Sequence, residues 1–281
     1  MTTLLEIRQV SKTFRSGGLF GRHVVHAVDS VDFALASERP EIFTIIGESG
    51  SGKSTLARMI LNSVSPSGGS IQFRGRDLAA IRSRRDRLAF MAEVQPVFQN
   101  PFEAFNPLKR LDRYLYMAAR RFCGAKTRDD AEARADAALR KVGLTLAEVR
   151  GRFPHEMSGG QLQRVAIARA LVPEPALVVA DEPVSMIDAS LRMTIVNMFR
   201  TLRDEFGVSI IYITHDLATA YTISDRLIIM EKGRVVESGP ARAVLDAPSH
   251  PYSIRLLQAV LPVGNAWRDE RPAEPRPQPA A

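Results

Sequence analysis

One cysteine, Cys123, stands in 281 residues, so neither a disulfide framework nor a cysteine-built zinc site is available. A lone sulfur also fits a reducing compartment. No apolar run approaches the ~18–20 residues that a bilayer-spanning helix needs. The best runs, at 42–46, 176–180 and 210–214, have the length of buried strands. Glu6, Arg8 and Lys12 interrupt any apolar core near the start, so a secretory leader is not expected. Aromatic residues are scarce at 7%, and none interleaves with the densest basic patch, Arg82, Arg84, Arg85 and Arg87 with Arg74 and Arg76 upstream. That stretch therefore lacks a stacking platform for single-stranded nucleic acid. These absences describe a soluble intracellular protein.

What is present is ordinary globular material: 45% hydrophobic and 25% charged residues, which excludes wholesale disorder. The formal charge of +7 suits a solvated face that also favours anionic surfaces, such as a cytoplasmic leaflet. Charge alone selects no partner.

Along the chain, short apolar β-branched runs alternate with helical patterns. The run at 41–46 leads through a glycine-rich turn into a helical 53–61; that at 208–214 leads into a helical 216–223. The segment 176–180 is apolar at every position, as a parallel strand covered on both faces requires. Lys232-Gly233 between 226–231 and 234–237 reads as a hairpin turn. This alternation predicts an α/β core with a mainly parallel sheet. From about 102 to 171 the chain is rich in Ala, Arg, Leu and Glu, which predicts a helical subdomain inserted into that core. Within it, Ala133, Ala137, Ala138 and Val142 recur at helical spacing. After Val263, Pro272, Pro275, Pro277 and Pro279 punctuate a polar segment, so 262–281 reads as a disordered tail. No internal repeat is visible.

Five local patterns carry chemistry. Gly47-Glu48-Ser49-Gly50-Ser51-Gly52-Lys53-Ser54, followed by Thr55, fits G-x-x-x-x-G-K-[ST] between a strand and a helix. Its glycines let backbone N–H groups turn inward around phosphates at a helix N-terminus. Lys53 is placed for the β- and γ-phosphates and the Ser54 hydroxyl for Mg²⁺. Asp181 and Glu182 end a buried strand, at the sheet edge where ligands of open α/β sheets sit. Asp181 suits Mg²⁺, directly or through water; Glu182 suits polarising the water that attacks a γ-phosphate. His215 follows another strand to the same edge, where it can hydrogen-bond a γ-phosphate or the attacking water, although a lone histidine is more often structural. Gln99 lies between core and helical segment, where a Mg²⁺-sensing amide would couple the two. Ser158-Gly159-Gly160-Gln161 opens a helix running to Leu171 and stopped by Pro173. A serine cap before glycines leaves N–H groups and the positive dipole end at that terminus, a second anion site, though an ordinary cap looks the same.

In this order, these pieces resemble the ATP-binding subunit of ATP-binding cassette (ABC) transporters, over about Leu4 to Leu261. The resemblance implies a P-loop NTPase (RecA-like) fold with a small antiparallel β part, one ATPase domain over 4–261, and ATP and Mg²⁺ as ligands. It makes Gly47–Thr55 the Walker A loop, Gln99 the Q-loop residue and a metal neighbour, Ser158–Gln161 the signature, Asp181 the Walker B carboxylate, Glu182 the catalytic glutamate and His215 the switch histidine. Phe14 falls where the family stacks an aromatic ring on adenine, worth roughly 1–3 kcal/mol. The D-loop, commonly Ser-Ala-Leu-Asp, reads Ser185-Met-Ile-Asp188; Asp188 keeps the expected contact to the second site, while the two altered positions bear on how the sites are coupled.

The same resemblance implies two ATPase subunits, identical or unlike, facing head to tail, so that each signature helix completes the other chain's ATP site. It implies two permease subunits, an extracytoplasmic solute-binding protein, a peripheral place at the cytoplasmic face of the (inner) cell membrane, and no nucleic acid. Val94-Gln-Pro-Val-Phe-Gln-Asn-Pro101 and His250-Pro-Tyr-Ser-Ile-Arg-Leu-Leu257 are similar to oligopeptide/dipeptide importer ATPases, some of which import oligosaccharides, opines or nickel instead. No cysteine follows Cys123, so the iron–sulfur cluster of some relatives is not expected. A ribosome- or DNA-acting cassette protein would need a second cassette or a long coiled coil. A P-loop kinase or GTPase would leave Ser158–Gln161 and His215 without a use.

Overall fold

The computed structural model describes residues 2–16, 23–102 and 104–260. Two long strands, β1 (Thr3–Ser16) and β2 (His23–Ala36), form an antiparallel pair. β3 (Ile42–Ile46) leads through the glycine loop into α1 (Lys53–Ile60). β4 (Gly68–Phe73), β5 (Arg76–Asp77), α2 (Arg84–Glu93) and β6 (Val94–Val97) follow. Between β6 and β7 (Leu177–Asp181) the described chain is helical, with α3 (Leu111–Phe122), α4 (Arg128–Arg140), α5 (Leu146–Val149) and α6 (Gly159–Leu171). The order closes with α7 (Ala189–Phe206), β8 (Ser209–Thr214), α8 (Leu217–Ile223), β9 (Arg226–Glu231), β10 (Arg234–Pro240), α9 (Ala241–Asp246) and α10 (Pro251–Val260).

The larger sheet has six strands in the order β10-β9-β3-β8-β7-β6, parallel except for β10. Every residue of β3 and β8 is buried, which is why both read as unbroken apolar runs rather than alternating ones. The smaller sheet, β2-β1-β4-β5, is antiparallel. Helix α1 lies between the two: Leu56, Met59 and Ile60 share a cluster with Leu5 and Ile7 of β1 and with Ile45 and Ile213 of the parallel sheet. Phe33 of β2 stacks on Phe43 of β3 at 4.5 Å, fastening sheet to sheet. The opposite face, with Ile210 and Tyr212 of β8, packs on Val196 and Phe199 of α7 and is continuous with the apolar sides of α3, α4 and α6.

The helical spacing read in sequence does not mark the buried face of α4. Ala131, Ala135, Ala138 and Leu139 are buried, whereas Ala133 and Ala137 face outward and Val142 is buried beyond the helix end. Alanine carries little polarity signal, so an alanine-rich helix does not announce its face. The ion pairs Asp130–Arg134 and Asp136–Arg140, at 2.8 and 2.7 Å, mark its outer edge better. In the basic patch, Arg76 pairs with Asp86 and Arg74 with Glu93, both at 2.9 Å. No helix among the described residues is long and apolar enough to cross a membrane. The segment read as a tail, 262–281, lies outside the described residues.

Candidate functional site

The carboxyl ends of β3, β8, β7 and β6 converge on one edge, because parallel strands all deliver their following loops to the same side. The loop after β3 has a shape that its glycines alone permit. A Cβ on Gly52, at φ +102°, would lie 2.1 Å from the Ala27 carbonyl oxygen, and one on Gly47 would lie 2.3 Å from that of Met230. The loop is held from outside as well: Gly233 N–H donates to the Ser51 carbonyl at 3.0 Å, and Asp29 N–H to that of Gly233 at 2.9 Å. The β9–β10 turn, legible as a hairpin, thereby clamps the loop against β2.

Lys53 is buried, and its ammonium donates to the carbonyls of Gly47 and Glu48, each at 2.7 Å. Burial pushes its pKa below the ordinary lysine value, against the opposing pull of Glu182, Asp181 and Glu48. Helix α1 starts without a side-chain cap. Its first N–H groups therefore open into a cavity of about 880 Å³ lined by Gly47–Gly50, Gly52–Thr55, Gln99, Glu182 and His215. Val25, His26 and Ala27 of β2, Lys232 and Leu256 supply the remaining walls.

Burial raises the Asp181 pKa, and the neighbouring Ser54 hydroxyl and Lys53 ammonium only partly offset that. Glu182 takes a left-handed backbone, φ 47°, pinned by its N–H to the Ile213 carbonyl at 2.9 Å and by the Ser185 hydroxyl on its own carbonyl at 3.0 Å. The turn aims the carboxylate between two partners. Gln99 Nε2 donates to Oε2 at 3.0 Å, and His215 Nδ1 lies 2.9 Å from Oε1. An ionised carboxylate only accepts, so the proton of that contact belongs to His215 Nδ1 and Nε2 remains for a second partner.

The structure thus brings Gly47–Thr55, Gln99, Asp181, Glu182 and His215 together. It does not bring Ser158, Gly159, Gly160 and Gln161 to that cavity. They form a capping box at the start of α6, with Ser158 Oγ accepting from Gln161 N–H at 3.3 Å. Asp188, N-cap of α7, is also outside the cavity lining. Phe14 is half-exposed on β1 opposite Val25, with Lys12 Nζ 5.2 Å from its ring centre; Val25 lines the cavity and Phe14 does not. Lys232, the Val25–Ala27 wall and Leu256 escape the sequence reading, for their strands and helix become neighbours of the loop only in the fold.

The chain is similar over nearly its whole length to ATP-binding proteins of transporters. The ABC transporter family model matches residues 29–185. The chain belongs to the ABC transporter family. The oligopeptide transport ATP-binding protein AppF of Bacillus subtilis is 39% identical over 92% of this chain and 78% of its own length. The nickel import ATP-binding protein NikE of Rhodospirillum rubrum is 41% identical, over 93% of each. Among solved structures, the dimeric ATP-binding cassette MJ0796, in a post-hydrolysis state bound to ADP and Pi, superposes with a TM-score of 0.74 at 26% identity, covering 85% of this chain and 99% of that one. This ABC chain is an ATPase, and the cavity at the strand ends has the volume and the phosphate loop that ATP requires. The donor set also fits a divalent cation. The Ser54 hydroxyl and the Asp181 carboxylate are neighbours beside Lys53, and Mg²⁺ typically takes one or two protein ligands with phosphate and water completing its shell.

Proposed function

We propose that this ATPase is the energy-coupling subunit of an importer for short peptides, seated on two permease subunits at the cytoplasmic face of the cell membrane. The observation that carries the reading is the Glu182 carboxylate, held by Gln99 on one side and His215 on the other at the mouth of a phosphate-loop cavity. In the reaction, Glu182 takes the proton of a water whose oxygen attacks the γ-phosphorus; the bond to the ADP oxygen breaks and that oxygen leaves with the electron pair. Lys53 and the α1 N–H groups take up the growing charge on the phosphate oxygens. His215, oriented through Nδ1, presents Nε2 to the water or the γ-phosphate. Ser54 and Asp181, near Gln99, would hold Mg²⁺, which would supply positive charge against the phosphate oxygens. Phe14 stacks on the adenine.

Ser158–Gln161 and Asp188 serve the other chain's nucleotide in a head-to-tail pair, since their own cavity excludes them. The partner ATPase is a second copy or an unlike subunit. An apolar groove of about 480 Å³ between α2, β6 and α3, with Met91, Pro96, Phe98, Met117 and Phe122 in its walls, ends at the residue before Gln99. A permease helix seated there passes its displacement through Gln99 to Glu182. Peptide as cargo, delivered by a solute-binding protein, rests on the 38–40% identity to oligopeptide and peptide transport proteins over most of the chain. The test is ATP hydrolysis by the reconstituted complex. Binding protein loaded with a short peptide should raise it several-fold, and stimulation by nickel alone would transfer the assignment to the metal.

A further inference from the structure

The His250-Pro-Tyr element has no part in the chemistry above, yet the fold brings it to the phosphate loop. Tyr252 is 4% exposed, and its hydroxyl accepts the backbone N–H of Glu48 at 3.0 Å, across 204 residues of sequence. The carbonyl of that same Glu48 accepts the Lys53 ammonium at 2.7 Å. The hydroxyl therefore fixes the residue that fixes the lysine. One turn further along α10, Leu256 stands in the wall of the nucleotide cavity, while Leu257 is buried in a cluster with Ile46, the last residue of β3 before the loop.

The helix start is itself firmly placed. The Glu237 carboxylate on β10 accepts the Ser249 N–H at 2.8 Å, the Ser249 hydroxyl at 3.1 Å and the His250 N–H at 3.3 Å. His250 Nδ1 in turn accepts the Tyr252 N–H at 3.2 Å. A carboxylate that gathers three donors at one helix terminus leaves little freedom to the first turn, where Tyr252 sits.

We propose that Tyr252 is a positioning residue for the phosphate loop, and that α10, through Tyr252 and Leu256, is a wall of the ATP site rather than an appendage to the domain. Tyr252 acts through Glu48 on Lys53 and touches no reacting atom. Leu256 offers an apolar surface to whatever part of the nucleotide lies against that wall.

Tyr252→Phe isolates the hydroxyl, because the ring keeps its packing. We expect the full-length Tyr252→Phe chain to bind the fluorescent analogue TNP-ATP about tenfold more weakly, the order expected when a buried N–H loses its acceptor. In the assembled transporter the KM for ATP should rise by the same factor, with kcat within about twofold of wild type. Melting without nucleotide should fall less than for Leu257→Ala, which disturbs only the docking of α10. In a Lys53→Ala background, Tyr252→Phe should cost no further TNP-ATP affinity, since the group it positions is gone. Leu256→Ala, at a half-buried site, tests the wall separately and should also raise KM. A Tyr252→Phe transporter with wild-type KM, or a loss that adds in full to that of Lys53→Ala, overturns the proposal. Wild-type turnover in the same assay keeps that outcome distinct from any failure of the ATPase itself.

Discussion

Glu182 pays for its position in backbone strain: a left-handed residue with a Cβ costs on the order of 1–2 kcal/mol, and here two neighbouring segments hold it. The gain is direction, since the strained turn sends consecutive carboxylates to different tasks. Asp181 points down to Ser54 and Glu182 out to Gln99 and His215. Burial raises the Asp181 pKa, so the folded chain favours the protonated form. The sign follows: that preference contributes stability below the unfolded-state pKa and loses it as pH rises through the folded one. Asp181→Asn, which copies the neutral form, should therefore melt higher than wild type at neutral pH without nucleotide. The gain should vanish in acid, where wild type is itself protonated. A variant that melts lower at neutral pH would show that the charged carboxylate is favourable in the empty site.

Elements differ in how much of themselves they show in sequence. β3, β7 and β8 are legible because both faces are covered, leaving no polar positions to confuse the pattern. β1 and β2 are not: register shifts between Ile7 and Val10 and between Val10 and Lys12 break the two-residue period, and Gln9 and Ser30 leave the extended region altogether. The phosphate loop is legible because its chemistry fixes residue types at fixed spacing. The Lys232-Gly233 turn is legible as a hairpin, but its role as a support of the loop, like that of Tyr252, is not, because nothing local ties either to Gly47. In α4 the length is legible and the face is not. Ala135→Asp should destabilise by about 3 kcal/mol, since it buries an unpaired carboxylate, whereas Ala137→Asp should stay within about 0.5 kcal/mol. Urea titration of the two variants separates them, and equal midpoints would contradict this division of the helix into a buried and an outer face.

Among the described residues, the glycine-bearing helix N-termini of α1 and α6 suit anions, and of these two the first opens into the chain's own cavity. In the proposed head-to-tail pair, the second chain's nucleotide gives the α6 terminus a phosphate. The position for testing this is Gly159 rather than Gly160: a Cβ at Gly160 would meet Leu191 at 3.0 Å, whereas one at Gly159 has open space. Gly159→Glu should leave folding and TNP-ATP binding of the separate chain intact, an acid in the first turn even favouring the helix. In the assembled transporter it should repel the partner's nucleotide and stop hydrolysis. Loss of binding by the separate chain would mean that α6 serves its own cavity.

The central claim is that ATP is hydrolysed at the strand-end cavity with Glu182 as the base. It is tested most directly by steady-state ATP hydrolysis of the assembled transporter carrying Glu182→Gln, with bound nucleotide counted in the same sample. An amide cannot take the proton from the attacking water, so turnover should fall by ~10²–10⁴ while ATP, not ADP, stays bound. Turnover near wild type, or a complex emptied of nucleotide, would contradict the account.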